Sequence, residues 1–148
     1  MNKFTYHKDG SLPESQCIFV FGSNLAGVHG AGAARAAMED FGAVYGIGVG
    51  FVGQSYAIPT KDYQIQTMKL EAIKPFIEQF VHVTHTQHTK KFFITRVGCG
   101  LAGFTDDQIA PLFAMANHQN CSFPEPWKQY IHQSVLSLDT LTTSGIQS

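Results

Sequence analysis

Arg96-Val97-Gly98-Cys99-Gly100-Leu101-Ala102-Gly103-Phe104 is the stretch on which the reading of this chain turns. It follows an apolar run, Phe92-Phe93-Ile94-Thr95, with the composition and length of a buried strand. Three glycines then fall within six residues, where a strand turns into a loop. Glycine reaches backbone angles that other residues avoid, and its missing side chain lets a ligand approach the amides. Successive amides in such a turn form a concave donor surface suited to phosphate. Thr105, Asp106 and Asp107 follow as caps for a helix expected over 106–116. Strand, glycine loop and helix start together make a phosphate-site layout.

Short glycine patterns are common by chance, but this chain carries a second one. Cys17 to Phe21 is another strand-like run, followed by Gly22-Ser23-Asn24-Leu25-Ala26-Gly27-Val28-His29-Gly30-Ala31-Gly32. The next residues, through Ala33-Ala34-Arg35-Ala36-Ala37-Met38, are strong helix formers and predict a helix over 31–41. Gly42 is placed to end that helix in a left-handed conformation. In an open α/β sheet, loops at the carboxyl ends of neighbouring strands border one crevice. Two glycine loops on one crevice suit a ligand with two phosphates. The competing reading is that the glycines serve tight turns alone.

At 148 residues the chain fits one domain with a core of its own. Ten basic residues nearly balance eleven acidic ones, and no dense basic stripe occurs, so nucleic-acid binding by phosphate neutralisation has little support. A single nucleotide can still be held by backbone amides. Cys17, Cys99 and Cys121 are widely spaced and form neither a disulfide framework nor a zinc knuckle. The first residues lack the apolar core of a signal peptide, and no run approaches membrane-spanning length. These features predict a soluble cytoplasmic protein, and nothing in the pattern requires a metal or a cofactor.

Residues 1–16 are expected to be an irregular lead-in or an edge strand. The segment 43–53, where glycine nearly alternates with apolar residues, predicts a connection with short extended pieces. Ser55 to Pro59 predicts a third strand, and Thr60-Lys61-Asp62-Tyr63 a loop. Ile73, Phe76, Ile77, Phe80 and Val81 keep a helical period within 68–83, with Pro75 setting either a start near Lys74 or a kink. Asn120 to Trp127 reads as a proline-broken loop anchored by Trp127. The domain is expected over 1–132, with a polar Ser/Thr-rich tail over 133–148. Strands alternating with helices imply a layered α/β domain with a largely parallel or mixed sheet.

Val97-Gly98-Cys99-Gly100-Leu101 after one strand, with Asn24 and Gly30-Ala31-Gly32 after an earlier one, resembles the macrodomain family. The nearest branch is that of terminal ADP-ribose protein glycohydrolase and the macrodomain of a chromatin-remodelling ATPase. The likeness spans roughly residues 17–116 and implies a three-layer α/β/α fold that binds ADP-ribose across the crest of a mixed sheet. It implies that Asn24 holds the distal ribose, with Gly22, Ser23, Gly30, Ala31 and Gly32 forming the first ligand loop. Gly98, Cys99, Gly100, Leu101, Ala102, Gly103 and Phe104 take the place of the diphosphate loop. Lys61 is similar in placement to the lysine that attacks the sugar C1 in the glycohydrolase. A lysine in an apolar pocket becomes nucleophilic as its pKa falls.

The chain also departs from that pattern. The glycohydrolase has an aspartate where Ala102 stands, and the family's earlier asparagine is Phe21 here. Asp9 takes the place before the first strand where the family reads adenine. If hydrolysis of an ADP-ribose linkage occurs, Lys61, His29, Asp106 and Asp107 are the catalytic candidates. His29 is either a phosphate contact or acid/base group, or a surface loop histidine. Cys99 is either an activated nucleophile or a small packing residue. His82, His85 and His88 recur at a helix end without a carboxylate at ligand spacing, which charge at a helix C-terminus explains. The sequence thus predicts a binder of ADP-ribose or a related NAD-derived nucleotide, with enzymatic activity left open. The alternatives are a Rossmann-like nucleotide-sensing or nucleoside-hydrolase domain, and a non-catalytic reader of ADP-ribosylated partners.

Overall fold

Successive side chains of a strand point to opposite faces of its sheet, and along Cys17–Phe21 both faces are buried. Such a strand needs covering layers on both sides. The computed structural model describes residues 5–14 and 16–136. Within them one six-stranded sheet is built from β1 (Thr5–His7), β2 (Cys17–Asn24), β3 (Gly50–Val52), β4 (Ser55–Lys61), β5 (Lys91–Ile94) and β6 (Cys121–Pro124). The spatial order is β1-β6-β5-β2-β4-β3. All neighbours are parallel except β3, which runs antiparallel to β4 at one edge.

The helices are α1 (Gly32–Asp40), α2 (Leu70–Thr86) and the short α3 (Asp106–Ile109), with a further helical stretch over 128–136. Ile18 and Val20 of β2 face a large apolar cluster with Ile58, Ile94 and the α2 residues Ile73, Ile77 and Phe80. Phe19 and Phe21 face the other way, onto a smaller cluster with Ala57, Phe93 and the α1 residues Ala34 and Ala37. The layered α/β arrangement read from the alternation of strands and helices is the observed one, with the three layers that the resemblance implied. No helix among the described residues is long and apolar enough to cross a membrane.

Several elements differ from their expected bounds. Helix α2 starts at Leu70, ahead of Lys74, and takes Pro75 into its interior. Pro75 returns no hydrogen bond to the Glu71 carbonyl, but it lies on the exposed face, where water can serve that group. The helix expected over 106–116 is one α-helical turn followed by a 3₁₀ segment, Ala110–Phe113, because Pro111 interrupts the ladder. The expected loop 120–127 contains β6, paired to both β5 and β1, and then a 3₁₀ turn, Glu125–Trp127. Pro124 closes that strand, where a lost amide donor costs least. Residues 1–16 supply the edge strand β1, and residues 133–136 continue the helix beyond the expected domain limit. The rest of the expected tail, 137–148, lies outside the described residues.

Phe80 is fully buried and contacts the rings of Tyr56, Phe92 and Phe113 at centroid distances of 5.1, 5.4 and 5.8 Å. Phe80→Ala is expected to lower stability by roughly 3–5 kcal/mol. Urea denaturation should show a lower midpoint at unchanged m-value; a loss below about 1 kcal/mol would mean that this layer is loosely packed.

Candidate functional site

The helix after β2 packs on one face of the sheet, whereas the segments after its neighbours β4 and β5 pack on the other. Chains leaving adjacent strand ends in opposite directions open a crevice between them, the usual ligand site of such sheets. A cavity of about 770 Å³ opens there. It runs along the carboxyl ends of the strands, from His7 and Asp9 after β1 to Thr60 and Lys61 at the end of β4. Its floor on the α1 side is Ala33, Ala34 and Ala36 with Phe19 and Phe93. Alanine there keeps the helix and leaves room above it.

The first glycine loop is shaped by backbone packed on backbone. A Cβ on Gly48 would fall far inside van der Waals contact of the Asn24 carbonyl, and one on Gly27 would strike the backbone at Gly46 and Ile47. The Gly46 amide donates to the Gly27 carbonyl at 2.9 Å, and the Ser23 hydroxyl donates to the Gly48 carbonyl. His29 Nε2–H donates to the Ile47 carbonyl at 3.0 Å, and the ring stands edge-on to Phe21 at 5.3 Å. The glycine-rich connection 43–53 is thus the backing of the first loop. Asn24 Nδ2 donates to the Val28 carbonyl at 2.8 Å while its Oδ1 accepts from the Val28 amide at 2.9 Å. Those bonds pin the loop and use one of the two Nδ2 hydrogens.

The second loop lies against the first. A Cβ on Gly22 would sit 3.3 Å from the Gly98 amide nitrogen. Gly98 has φ +76° and Gly103 φ +89°, the left-handed region that favours glycine. The Phe104 amide donates to the Gly98 carbonyl at 2.9 Å and the Gly103 amide to the Gly100 carbonyl at 3.0 Å, closing the turn.

Both loops line the one cavity, as expected. Gly22, Ser23, Asn24, Gly30, Ala31 and Gly32 do so from the first loop. Gly98, Cys99, Gly100, Leu101 and Ala102 do so from the second, whereas Gly103 and Phe104 do not line it. Of the four catalytic candidates, Lys61 lines the cavity and His29, Asp106 and Asp107 do not. His29 is buried beneath its loop, so the surface-loop reading of it is corrected. Asp107 is exposed and accepts from the Thr105 hydroxyl. The capping expected of this segment is present as well, the Thr105 amide donating to Gln108 Oε1 at 3.0 Å.

Asp106 is tied up in a network. Arg96 grips it with Nε to Oδ1 at 2.9 Å and Nη2 to Oδ2 at 3.0 Å, and Trp127 Nε1–H donates to Oδ1 at 2.8 Å. The third guanidinium nitrogen reaches Asp9 Oδ2 at 3.2 Å. Burial opposes ionisation of Asp106, but the bonds from Arg96 and Trp127 and the guanidinium charge outweigh it, leaving its carboxyl below the usual range. Such a carboxylate is a weak base. Burial, helped by the Asp106 charge, pushes the Cys99 thiol up to about 12, which argues against a nucleophilic Cys99. Among the described residues, no group of three or more His, Cys, Asp or Glu could hold a metal ion; His85 instead bonds the Met115 carbonyl at 2.7 Å.

The turn from Lys61 to Thr67 is a third wall; the sequence predicts a loop at Thr60–Tyr63 and singles out Lys61 alone from this segment. An antiparallel bridge joins Lys61 to Thr67, and the Thr67 hydroxyl donates to the Ala102 carbonyl at 3.0 Å, tying this turn to the second glycine loop. Ile65, at its tip, lines the cavity with φ +63°. A left-handed residue with a Cβ costs about 1–2 kcal/mol. No residue type signals such a conformation in advance, because isoleucine is among the least suited to it.

The fold is macrodomain-like. The chain matches the macrodomain of Mycobacterium tuberculosis DarG with a TM-score of 0.59 at 18% identity, over 82% of this chain and 96% of that one. It matches Thermosipho africanus DarTG, solved in complex with ADP-ribose, with a TM-score of 0.53 at 15% identity, over 74% of this chain and 38% of that one. A Bacteroides thetaiotaomicron protein of unknown function gives 0.55 at 17% identity, over 82% of this chain and 95% of that one. No protein-family profile matches the sequence, and no curated protein matches it. At these identities the likeness is one of fold, and the resemblance to the glycohydrolase branch rests on the loop sequences alone.

Gly48→Ala should destabilise the protein by roughly 1–3 kcal/mol through the forced shift of the first loop. Gly100→Ala, which meets open space at ordinary φ, should change stability by less than about 0.5 kcal/mol. Thermal melts of both variants test this, and equal effects would mean that the two glycines are not distinguished by backbone approach.

His7, stacked on Phe93 at 3.7 Å and bonded to Ser122 Oγ at 2.7 Å, has its pKa lowered from 6.5 to about 4. Burial of the ring drives the shift, against a backbone bond to Ile94 and the Asp9 charge. Between those pH values the unfolded chain takes up a proton that the folded chain refuses. This contribution to stability is full above pH 6.5 and lost as pH falls toward 4. Melting temperature should drop across that window, and less steeply in His7→Gln; parallel slopes would remove His7 as the cause.

Proposed function

We propose that this protein binds ADP-ribose in the cavity astride β2, with the diphosphate on the two glycine loops. The observation that carries this reading is the meeting of both loops in one elongated cavity, their backs joined at Gly22 and Gly98. Its volume, about 770 Å³, is in the range of small-molecule sites. The structural neighbour solved with ADP-ribose supports the choice among nucleotides. In this reading the adenosine lies toward β1, where Asp9 keeps a carboxylate oxygen for a base donor. The last ribose lies toward β4, between Asn24 and Lys61. Amides of Gly98, Gly100 and Leu101 and of Gly30 to Gly32 face the phosphates, the Cys99 amide being taken by the Arg96 carbonyl at 3.1 Å, a backbone solution that needs no basic cluster.

Binding is the activity we assign, and hydrolysis is not. Ala102 occupies the position of the glycohydrolase aspartate, and Asp106 is held by Arg96 and Trp127 outside the cavity. Lys61 then serves as a cation beside the ligand, without a carboxylate partner for proton transfer. Carried on a modified partner, the same nucleotide would make the protein a reader of ADP-ribosylation.

Calorimetric titration with ADP-ribose, against NAD and AMP, tests the assignment. The expected Kd for ADP-ribose is on the order of 1 μM, about 8 kcal/mol of binding free energy. Gly100→Glu places a carboxylate among the phosphate donors and should weaken binding by at least about 100-fold, roughly 3 kcal/mol of like-charge cost. Its melting temperature should stay at the wild-type value, because Gly100 has free space around it. Preference for NAD or AMP would change the ligand, and no binding by any of the three would end the reading.

A further inference from the structure

Ile65 is costly to the fold where it stands. It is a β-branched residue at φ +63°, a combination that side chains avoid. It is 40% exposed and belongs to neither apolar cluster of the core, so burial does not compensate the strained backbone. An asparagine would take the same conformation far more readily.

The turn nevertheless holds Ile65 firmly. Asp62 Oδ1 accepts from the amides of Gln64 at 2.9 Å and Gln66 at 3.0 Å. The Ile65 amide donates to the Asp62 carbonyl at 3.1 Å, and the Asp62 amide to the Gln66 carbonyl at 2.8 Å. The residue whose backbone is thereby fixed lines the cavity at its β4 end, four residues beyond Lys61. Strained residues of this kind gather at ligand sites, where the bound state repays them.

We propose that Ile65 is a specificity-determining residue whose side chain covers the carbon face of the terminal sugar of a nucleoside-diphosphate sugar. This rests on the ADP-ribose reading, which puts that sugar at the β4 end. Asp62 is the positioning residue, acting through the turn without touching the ligand. An apolar side chain on the C–H face of a ribose favours ligands that have that sugar over those ending at the diphosphate.

The test compares wild type, Ile65→Asn and Ile65→Leu by calorimetric titration with ADP-ribose and with ADP, alongside thermal melts. Ile65→Asn should bind ADP-ribose about 10-fold more weakly, the scale of a lost apolar contact. It should bind ADP like the wild type and melt at the same temperature or about 2 °C higher. Ile65→Leu, apolar but unbranched at Cβ, should keep ADP-ribose affinity within about two-fold. Unchanged ADP-ribose binding by Ile65→Asn overturns the proposal while leaving the cavity reading intact. An equal loss for ADP would show that Ile65 acts through loop shape, and a lower melting temperature would show that it serves the fold; either result overturns the assignment. If the wild type binds neither nucleotide, the cavity reading fails and this inference falls with it.

Discussion

The site depends on one close approach of main chain to main chain, that of residues 46–48 to residues 24–27. Gly27 and Gly48 allow it, and hydrogen bonds from Gly46, Ser23 and His29 seal it. Because the first loop is held from behind by main chain, its amides can face forward without a scaffold of bulky groups. The start of α1, and with it the alanine floor of the cavity, takes its position from that loop. A larger residue at Gly48 would move the loop before it disturbed the apolar core, since its Cβ would meet the Asn24 backbone and Gly48 lies outside both apolar clusters.

Of the three charged residues that line the cavity, Asp9 and Arg96 are paired with protein groups. Arg96 spends its guanidinium on Asp106 and Asp9, and Asp106 is further held by the buried Trp127. Truncating one partner of such a network leaves the other uncompensated, which costs more than the pair contributes. The network ties the lead-in segment at Asp9 to the far side of the sheet at Trp127, giving the cavity wall a rigid connection to the main core. Lys61 stands apart, a lining cation to which no ion pair is assigned among the described residues.

Much of this was legible in the sequence. The unbroken apolar runs Cys17–Phe21 and Phe92–Ile94 signalled buried strands, and the glycine runs after them marked the cavity loops. Gly42, at φ +81°, ends α1 as its position implied. Three things escaped for physical reasons. Strand β6 is four residues long with Pro124 and Pro126 at its end, so local turn chemistry outweighed pairing that only the sheet supplies. The inward turn of His29 depends on packing against Phe21 and on a carbonyl 18 residues away, which no local pattern encodes. Left-handed Ile65 is dictated by Asp62 within a closed turn, against the preference of its own side chain.

Strand β1 has one neighbour in the sheet, β6, and His7 bonds Ser122 across 115 residues of chain. During synthesis β1 leaves the ribosome ahead of the other strands of this sheet but has no strand to join until β6 has followed. Both glycine loops and their strands can assemble before that moment, from β2, β4 and β5 alone. The wall carrying His7, Asp9 and Leu12 cannot. Closing so long a loop is slow relative to local pairing, so this wall of the cavity is set after the two glycine loops it faces. A nascent chain halted before β6 would carry the phosphate loops of a nucleotide site whose outer wall had not yet been set in place.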